Sequence, residues 1–217
     1  DSTKNKNDGK LISNPQWVNG IKGKALEFNG TNYVQIPQNK SLDIRQQITL
    51  EAWIKLKDIS NSADNDIIIN TESIPWEIAV ASQCTNAPGI PDYNVSFYIN
   101  VPNKPGHCSG WIDGKIQVPK GEWAHVAVTY DGKQFQTFVN GKLGTTYPAS
   151  GEIQALQNHV RIAARGTGGT ADAAFNGIID EVKVWNIGLT EKEVIQSMES
   201  GKAVQPDNKL ALTWGLI

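Results

Sequence analysis

Apolar and polar residues alternate most cleanly over Ile48–Leu56. Ile48, Leu50, Ala52, Ile54 and Leu56 fall on one side, and Thr49, Glu51, Trp53 and Lys55 on the other. A period of two puts successive side chains on opposite faces of an extended chain, so this segment predicts a strand with one face in a core. Trp123–Tyr130 (WAHVAVTY) is apolar on both sides, as suits an interior strand of a two-sheet sandwich. It leads to Phe135–Val139, which lies between the hairpin turn signals Asp131-Gly132 and Asn140-Gly141. Further strands are predicted at Ala25–Ile36 (interrupted at Asn29-Gly30), Ile67–Asn70, Trp76–Ala81, Val95–Val101, Val160–Ala164, Ile178–Trp185 and Leu210–Leu216. Leu11–Val18 is too broken by Pro15 for a central strand.

One helix is predicted, over Thr190–Ser200. Thr190 with Glu193 makes a capping box, Leu189 and Val194 are placed for a hydrophobic staple, and Gly201 is a stop. About a dozen short strands and one short helix, with no linker-like stretch and no internal repeat, predict a single all-β domain over 1–217.

The formal charge of −2 on 217 residues gives no electrostatic case for nucleic acid or an anionic membrane. No apolar run approaches the roughly 20 residues that cross a bilayer, so no membrane insertion is expected. The chain begins at Asp1 and not at Met, which reads as a piece of a larger modular protein. Cys84 and Cys108 bracket a segment that contains Pro and Gly. They are read as a disulfide clipping a surface excursion, the alternative being two free thiols. The bonded form places the protein in an oxidising, extracellular or cell-surface setting.

Three stretches carry a resemblance: GKALEFNGTNYVQIP, EWAHVAVTYDGKQFQTFVNGKLG and FNGIIDEVKVWNIGLTEKEV. Together they resemble the laminin-G-like and pentraxin-like jelly rolls of the concanavalin A-like lectin/glucanase superfamily. The resemblance implies a two-sheet antiparallel β-sandwich with one short α-helix near the C-terminus. In that family a strand like Leu210–Leu216 usually opens the domain, so here the C-terminal strand is expected to take its place.

The superfamily includes hydrolases, whose retaining mechanism needs two carboxyls about 5 Å apart. Adjacent acids such as Asp180 and Glu181 point to opposite faces of a regular strand. They are therefore read as structural carboxylates, and no catalytic residue is assigned. His125, within an interior strand, is read as a packed, hydrogen-bonded core residue.

Calcium is the one cofactor weighed. Asp58, Asp64, Asn65 and Asp66 gather oxygen ligands on one loop, as a hard cation prefers. Asp64 and Asn65 match the pentraxin calcium loop. The resemblance implies further ligands from Gly166–Asn176, where Asp172 is the only acid. A second structural ion is weighed at Asp1, Asp8 and Asp180.

Sugars bind by stacking on aromatic rings and by directed hydrogen bonds. Trp76 and Trp111 in the elaborated middle, Arg165 at the head of the glycine-rich loop, and Asp64, Asn65 and Asp172 form the expected glycan site. Arg165 suits an acidic, sialylated sugar. The expected function is non-catalytic glycan or glycoprotein binding, as the lectin module of a secreted or surface adhesin, pilus subunits included. The alternatives are a protein-binding laminin-G-like module and a glycoside hydrolase.

Overall fold

The computed structural model describes residues 1–59, 65–70, 75–80, 93–104, 110–154, 158–166, 170–200 and 210–214, with the backbone alone at 200 and 210–214. The strands are β1 (Lys10–Ile12), β2 (Gln16–Asn19), β3 (Lys24–Asn29), β4 (Tyr33–Ile36), β5 (Ile48–Asp58), β6 (Asn65–Asn70), β7 (Trp76–Val80) and β8 (Asn94–Ile99). They continue with β9 (Trp111–Gln117), β10 (Trp123–Tyr130), β11 (Gln134–Val139), β12 (Lys142–Pro148), β13 (Val160–Ile162) and β14 (Asn176–Trp185). Helix α1 (Glu191–Ser200) and β15 (Leu210–Trp214) complete the order.

Two antiparallel sheets face each other. The first runs β1-β4-β13-β6-β7-β8-β9, and the second β12-β11-β10-β5-β14-β3-β2 with β15 beside β14. The alternation of β5 works as read. Ile48, Leu50, Ala52, Ile54 and Leu56 are fully buried between the sheets, and Glu51 and Trp53 point to the outer face. Opposite them the row Ile68–Ile78–Phe97–Ile112 lines the inner face of the first sheet.

Strand β14 is the spine of the second sheet. On one side it pairs with β5 along its length. On the other, β3 covers Asn176–Ile179 and β15 covers Val182–Trp185. The C-terminal strand thus completes the spine where β3 ends.

The register of β14 slips between Asp180 and Lys183, where Glu181 takes a left-handed φ of 49°. This bulge places one extra residue on β14 and cancels the strict alternation expected for Asp180 and Glu181. Asp180 Oδ2 accepts from Lys22 N (3.1 Å) and Oδ1 from Glu181 N (2.8 Å), the structural role expected of it. Glu181 is buried, and among the described residues neither of its carboxylate oxygens has a hydrogen-bond partner. Burial raises the proton affinity of both carboxyls.

Thr190 caps α1 as its sequence foretells. Its N–H donates to Glu193 Oε2 at 2.8 Å, and Glu193 N returns a bond to Thr190 Oγ1 at 3.4 Å. Leu189 and Val194 pack with Ala127, Phe138 and Trp185, which clamps the helix to the outer face of the second sheet.

Candidate functional site

Both sheets carry ionisable residues on their outer faces, and the two sets are built differently. Under α1, Glu51 is fully buried. Its Oε1 accepts from Trp185 Nε1 at 2.9 Å and from the Ser197 hydroxyl, and lies 3.5 Å from Lys183 Nζ. Its Oε2 lies 3.2 Å from His125 Nε2. Lys183 Nζ also donates to Ser197 Oγ at 2.9 Å. Burial alone would raise the Glu51 carboxyl. The His125 hydrogen bond, the Lys183 charge and Ser197 outweigh it and hold the group at about 2. This cluster is a sealed lock between sheet and helix, and His125 is the packed residue it was expected to be.

The other set lies on the outer face of the seven-stranded sheet. Arg161 on β13 pairs with Ile69, Ile69 with Glu77, Glu77 with Tyr98, and Tyr98 with Trp111. One row over, Asp66 pairs with Ala79, Ala79 with Ser96, and Ser96 with Asp113. Cross-strand partners share a face, so these residues form one surface although they come from five strands. Ser96 Oγ donates to Asp113 Oδ1 at 2.8 Å, and the Tyr98 and Trp111 rings meet edge to face with centroids 5.8 Å apart. Lys104 Nζ sits 3.9 Å from the Tyr98 ring centre, where burial lowers its proton affinity.

The segment after β13 closes over this surface. Arg165 N donates to Asp172 O at 2.9 Å and Asp172 N to Arg165 O at 2.7 Å, a narrow antiparallel pair. Asp66 N donates to Ala173 O at 2.9 Å and so joins the start of β6 to the 170–174 segment. Arg161 stacks on Tyr33, 4.4 Å from its ring centre, and its Nη1 donates to Thr170 O at 2.8 Å. At the end of this segment a Cβ on Gly177 would lie 2.3 Å from Lys55 O, so only glycine brings the chain this close to β5. Arg165 is held between two fully buried carboxylates: its Nε is 3.9 Å from Asp66 Oδ2 and its Nη1 is 3.9 Å from Glu77 Oε2. Its side chain remains 27% exposed.

The expected site residues therefore divide. Asn65, Arg165 and Asp172 come together at the junction of β6 with the 165–174 segment, with Asp172 exposed. Trp76 is corrected to a core residue. It starts an alternation whose other inward members are Ile78 and Val80, and it is fully buried, with no face for a ligand. Trp111 is on the outer face but 4% exposed, packed on Ala79 and Tyr98. Asp64, Cys84 and Cys108 lie outside the described residues. Asp58 is exposed and pairs with Lys120 at 2.9 Å. Asp1 bonds Thr3 and Asn7, while Asp180 holds Lys22, so these acids serve separate turns.

Reasoning from sequence missed Arg161 and Asp113. It also left Asp66 as a loop ligand and gave Glu77 no site role. The available signal was a single charge at an alternating position of an otherwise apolar strand, as in VRI and WEIAV.

The model of the concanavalin A-like lectin/glucanases superfamily matches residues 28–195. Mouse pappalysin-1 is 29% identical over 91 residues, which is 41% of this chain; the chain spans only 6% of that protein's length. Domain 4 of AbnA, a GH43 extracellular arabinanase from Geobacillus stearothermophilus solved with arabinotriose, superposes with a TM-score of 0.64. It is 17% identical, over 87% of this chain and 86% of that one. A heptameric SAP-like pentraxin from Limulus polyphemus gives a TM-score of 0.56 at 19% identity, over 92% and 85% of the two chains. At these identities the two structures speak for the fold alone.

Proposed function

We propose, for a chain that belongs to the concanavalin A-like lectin/glucanases superfamily, a carbohydrate-binding module that binds glycans without cleaving them. The carrying observation is Arg165, a guanidinium held by Asp66 and Glu77 at 3.9 Å each, yet 27% exposed, with the exposed Asp172 as its backbone partner. A held, partly exposed guanidinium offers directed donors of the kind that a sugar hydroxyl accepts. The arabinotriose complex of AbnA domain 4 supports the reading by analogy of fold.

Hydrolysis is disfavoured because Asp66 and Glu77 both turn to the same guanidinium, whereas cleavage needs one carboxyl poised to donate a proton across a bond. Setting the module in an extracellular or surface-attached protein, with several copies or neighbouring modules adding avidity, agrees with this role. A protein-binding module is the rival. Exposed Trp17 (42%) and Ile21 (38%) favour it, but isolated apolar residues are ordinary on a protein surface.

Calcium is tested separately. A calcium ion takes six to eight oxygens. Among the described residues no group of three or more acids, histidines or cysteines could hold a metal. The Asn65 amide donates to Val80 O at 3.3 Å. Asn65 and Asp172 are two of the three expected ligands, Asp64 lies outside the described residues, and no step is assigned to the ion.

A glycan array probed with the multivalently displayed chain, in calcium and in EDTA, tests the function. Binding of a defined sugar class that is lost in Arg165→Met supports it. No binding by folded protein in either buffer refutes it.

A further inference from the structure

We infer that the open part of the second sheet's outer face is a platform for a neutral, extended polysaccharide, carried by Trp123, Trp53 and Ile178. It lies on the other side of the sandwich from Arg165 and does not depend on that site. Strand register builds it. Trp123 on β10 is opposite Lys55 on β5, Lys55 is opposite Ile178 on β14, Ile178 is opposite Glu27 on β3, and Glu27 is opposite Gln16 on β2. Cross-strand partners share a face. That face is the outer one, because the adjacent Ala124, Ile54, Ile179 and Leu26 point into the core. At roughly 4.8 Å per strand step the row is about 19 Å long. Helix α1 stands over Glu51, about 13 Å away along β5, and leaves the row open. Trp123, Lys55, Ile178 and Glu27 are partly exposed, and Gln16 is exposed.

Trp53 supplies the second ring, two residues before Lys55 and also partly exposed. His125 is its cross-strand partner and meets it edge to face, with centroids 5.5 Å apart. His125 Nε2 in turn lies 3.2 Å from Glu51 Oε2, so the sealed cluster holds a ring at the border of the open face. The start of β10 is held from the other end, where Gly121 N donates to Leu56 O at 2.7 Å and Lys120 bridges Leu56. The two indoles occupy diagonal positions on neighbouring strands, roughly 7–8 Å apart at the backbone. Rings fixed in this way lose little freedom when a sugar stacks on them.

The mixture of side chains selects the ligand. Lys55 and Glu27 are interleaved with the apolar groups in the middle of the row. A protein partner calls for the reverse, since the centres of protein interfaces are apolar and depleted in Lys and Glu. A sugar ring has an apolar face edged by hydroxyls, which suits rings alternating with polar groups. Lys55 and Glu27 flank Ile178 with opposite charges, so the row has no net charge to attract an anionic polymer. It has no walls and needs several sugar units to be spanned. An internal stretch of a chain fits it, whereas a short glycan falls short of its length.

Retardation in native gels cast with soluble arabinan, xylan or mixed-linkage β-glucan tests this, with polygalacturonate as the anionic control. The unaltered chain is expected to be retarded by at least one neutral polymer and not by polygalacturonate. Affinity for oligosaccharides of that polymer should climb from the disaccharide to a length that spans the row. Trp123→Ala should weaken retention at least tenfold, and Arg165→Met should leave it unchanged. Ile178→Ser carries the same comparison if Trp123→Ala does not fold, with circular dichroism to check each variant. The inference is overturned by no retardation in any neutral polymer, by equal retardation in polygalacturonate, by retention unmoved in both platform variants, or by retention lost in Arg165→Met. The glycan array reports on Arg165 separately. Retardation that persists when the array shows no binding removes the Arg165 reading and leaves this one.

Discussion

The outer faces of the two sheets pose one physical problem and answer it in two ways. Each carries carboxylates on strand positions that alternation turns away from the core. On the second sheet, Glu51 meets Trp185, Ser197, His125 and Lys183, with a 2.9 Å bond from the indole, and α1 seals the group from water. On the first, Asp66 and Glu77 face one guanidinium at 3.9 Å, beyond hydrogen-bond length, on a side chain that is 27% exposed. A carboxylate bonded at short range through one oxygen and covered by a helix is committed to the fold. Burial alone does not separate the two clusters; the cover of α1 over one of them does.

Removing the Glu51 carboxylate should have the largest effect. Glu51→Ala strands Lys183 and frees Ser197 beneath the helix, and is expected to cost about 3–5 kcal/mol in urea unfolding. A loss below about 1 kcal/mol would break the comparison.

The pH dependence follows from the same group. Glu51 is held at about 2 when folded, against 4.5 otherwise. Its contribution is complete above pH 4.5 and is lost as pH falls through the folded value, on the order of 3 kcal/mol in all. Asp180 and Glu181 run the other way. Their folded affinities are raised, so they are least costly when protonated, at low pH, and oppose stability as pH rises through their folded values. Stability curves of the unaltered chain and of Glu51→Gln between pH 2 and pH 5 should therefore converge at the acid end.

Arg165→Met is the counterpart on the loose face. It should abolish glycan binding, at least tenfold or about 1.4 kcal/mol, with a smaller loss of stability than Glu51→Ala. The smallest change sharpens the contrast from the lid. Thr190→Ala removes the cap of α1 and should cost about 1 kcal/mol of stability. Glycan affinity should stay unchanged, because the helix serves only the sealed face.

Much of the frame was legible because period and turn chemistry are local. ITLEAWIKL announced its inward face, and Thr190 with Glu193 announced the helix. What was illegible came from pairing between distant strands. Glu77, Asp66 and Arg165 are joined by register lines across β6, β7 and the segment after β13, and no local window contains them. Trp76 reads as a binding aromatic until its phase within WEIAV is known, and that phase is set by the core. The strand β9 was hidden because WIDGKIQ places Asp113 and Gly114 in its centre, residues that strands generally avoid. The Glu181 bulge has no signature in side-chain pattern, so the alternation argument for Asp180 and Glu181 failed there.

The divided flank of β14 bears on how the molecule comes to be made. Its first half waits for nothing, since β3 has left the ribosome long before β14 emerges. Its second half has an open hydrogen-bonding edge until residues 210–214 are synthesised and laid beside Val182–Trp185. During that interval the spine of the second sheet presents Val182, Val184 and Trp185 on a strand with one open edge, the form in which nascent chains pair with one another. Yield in a cell is therefore expected to hinge on β15, and chains halted just after α1 should gather in the insoluble fraction.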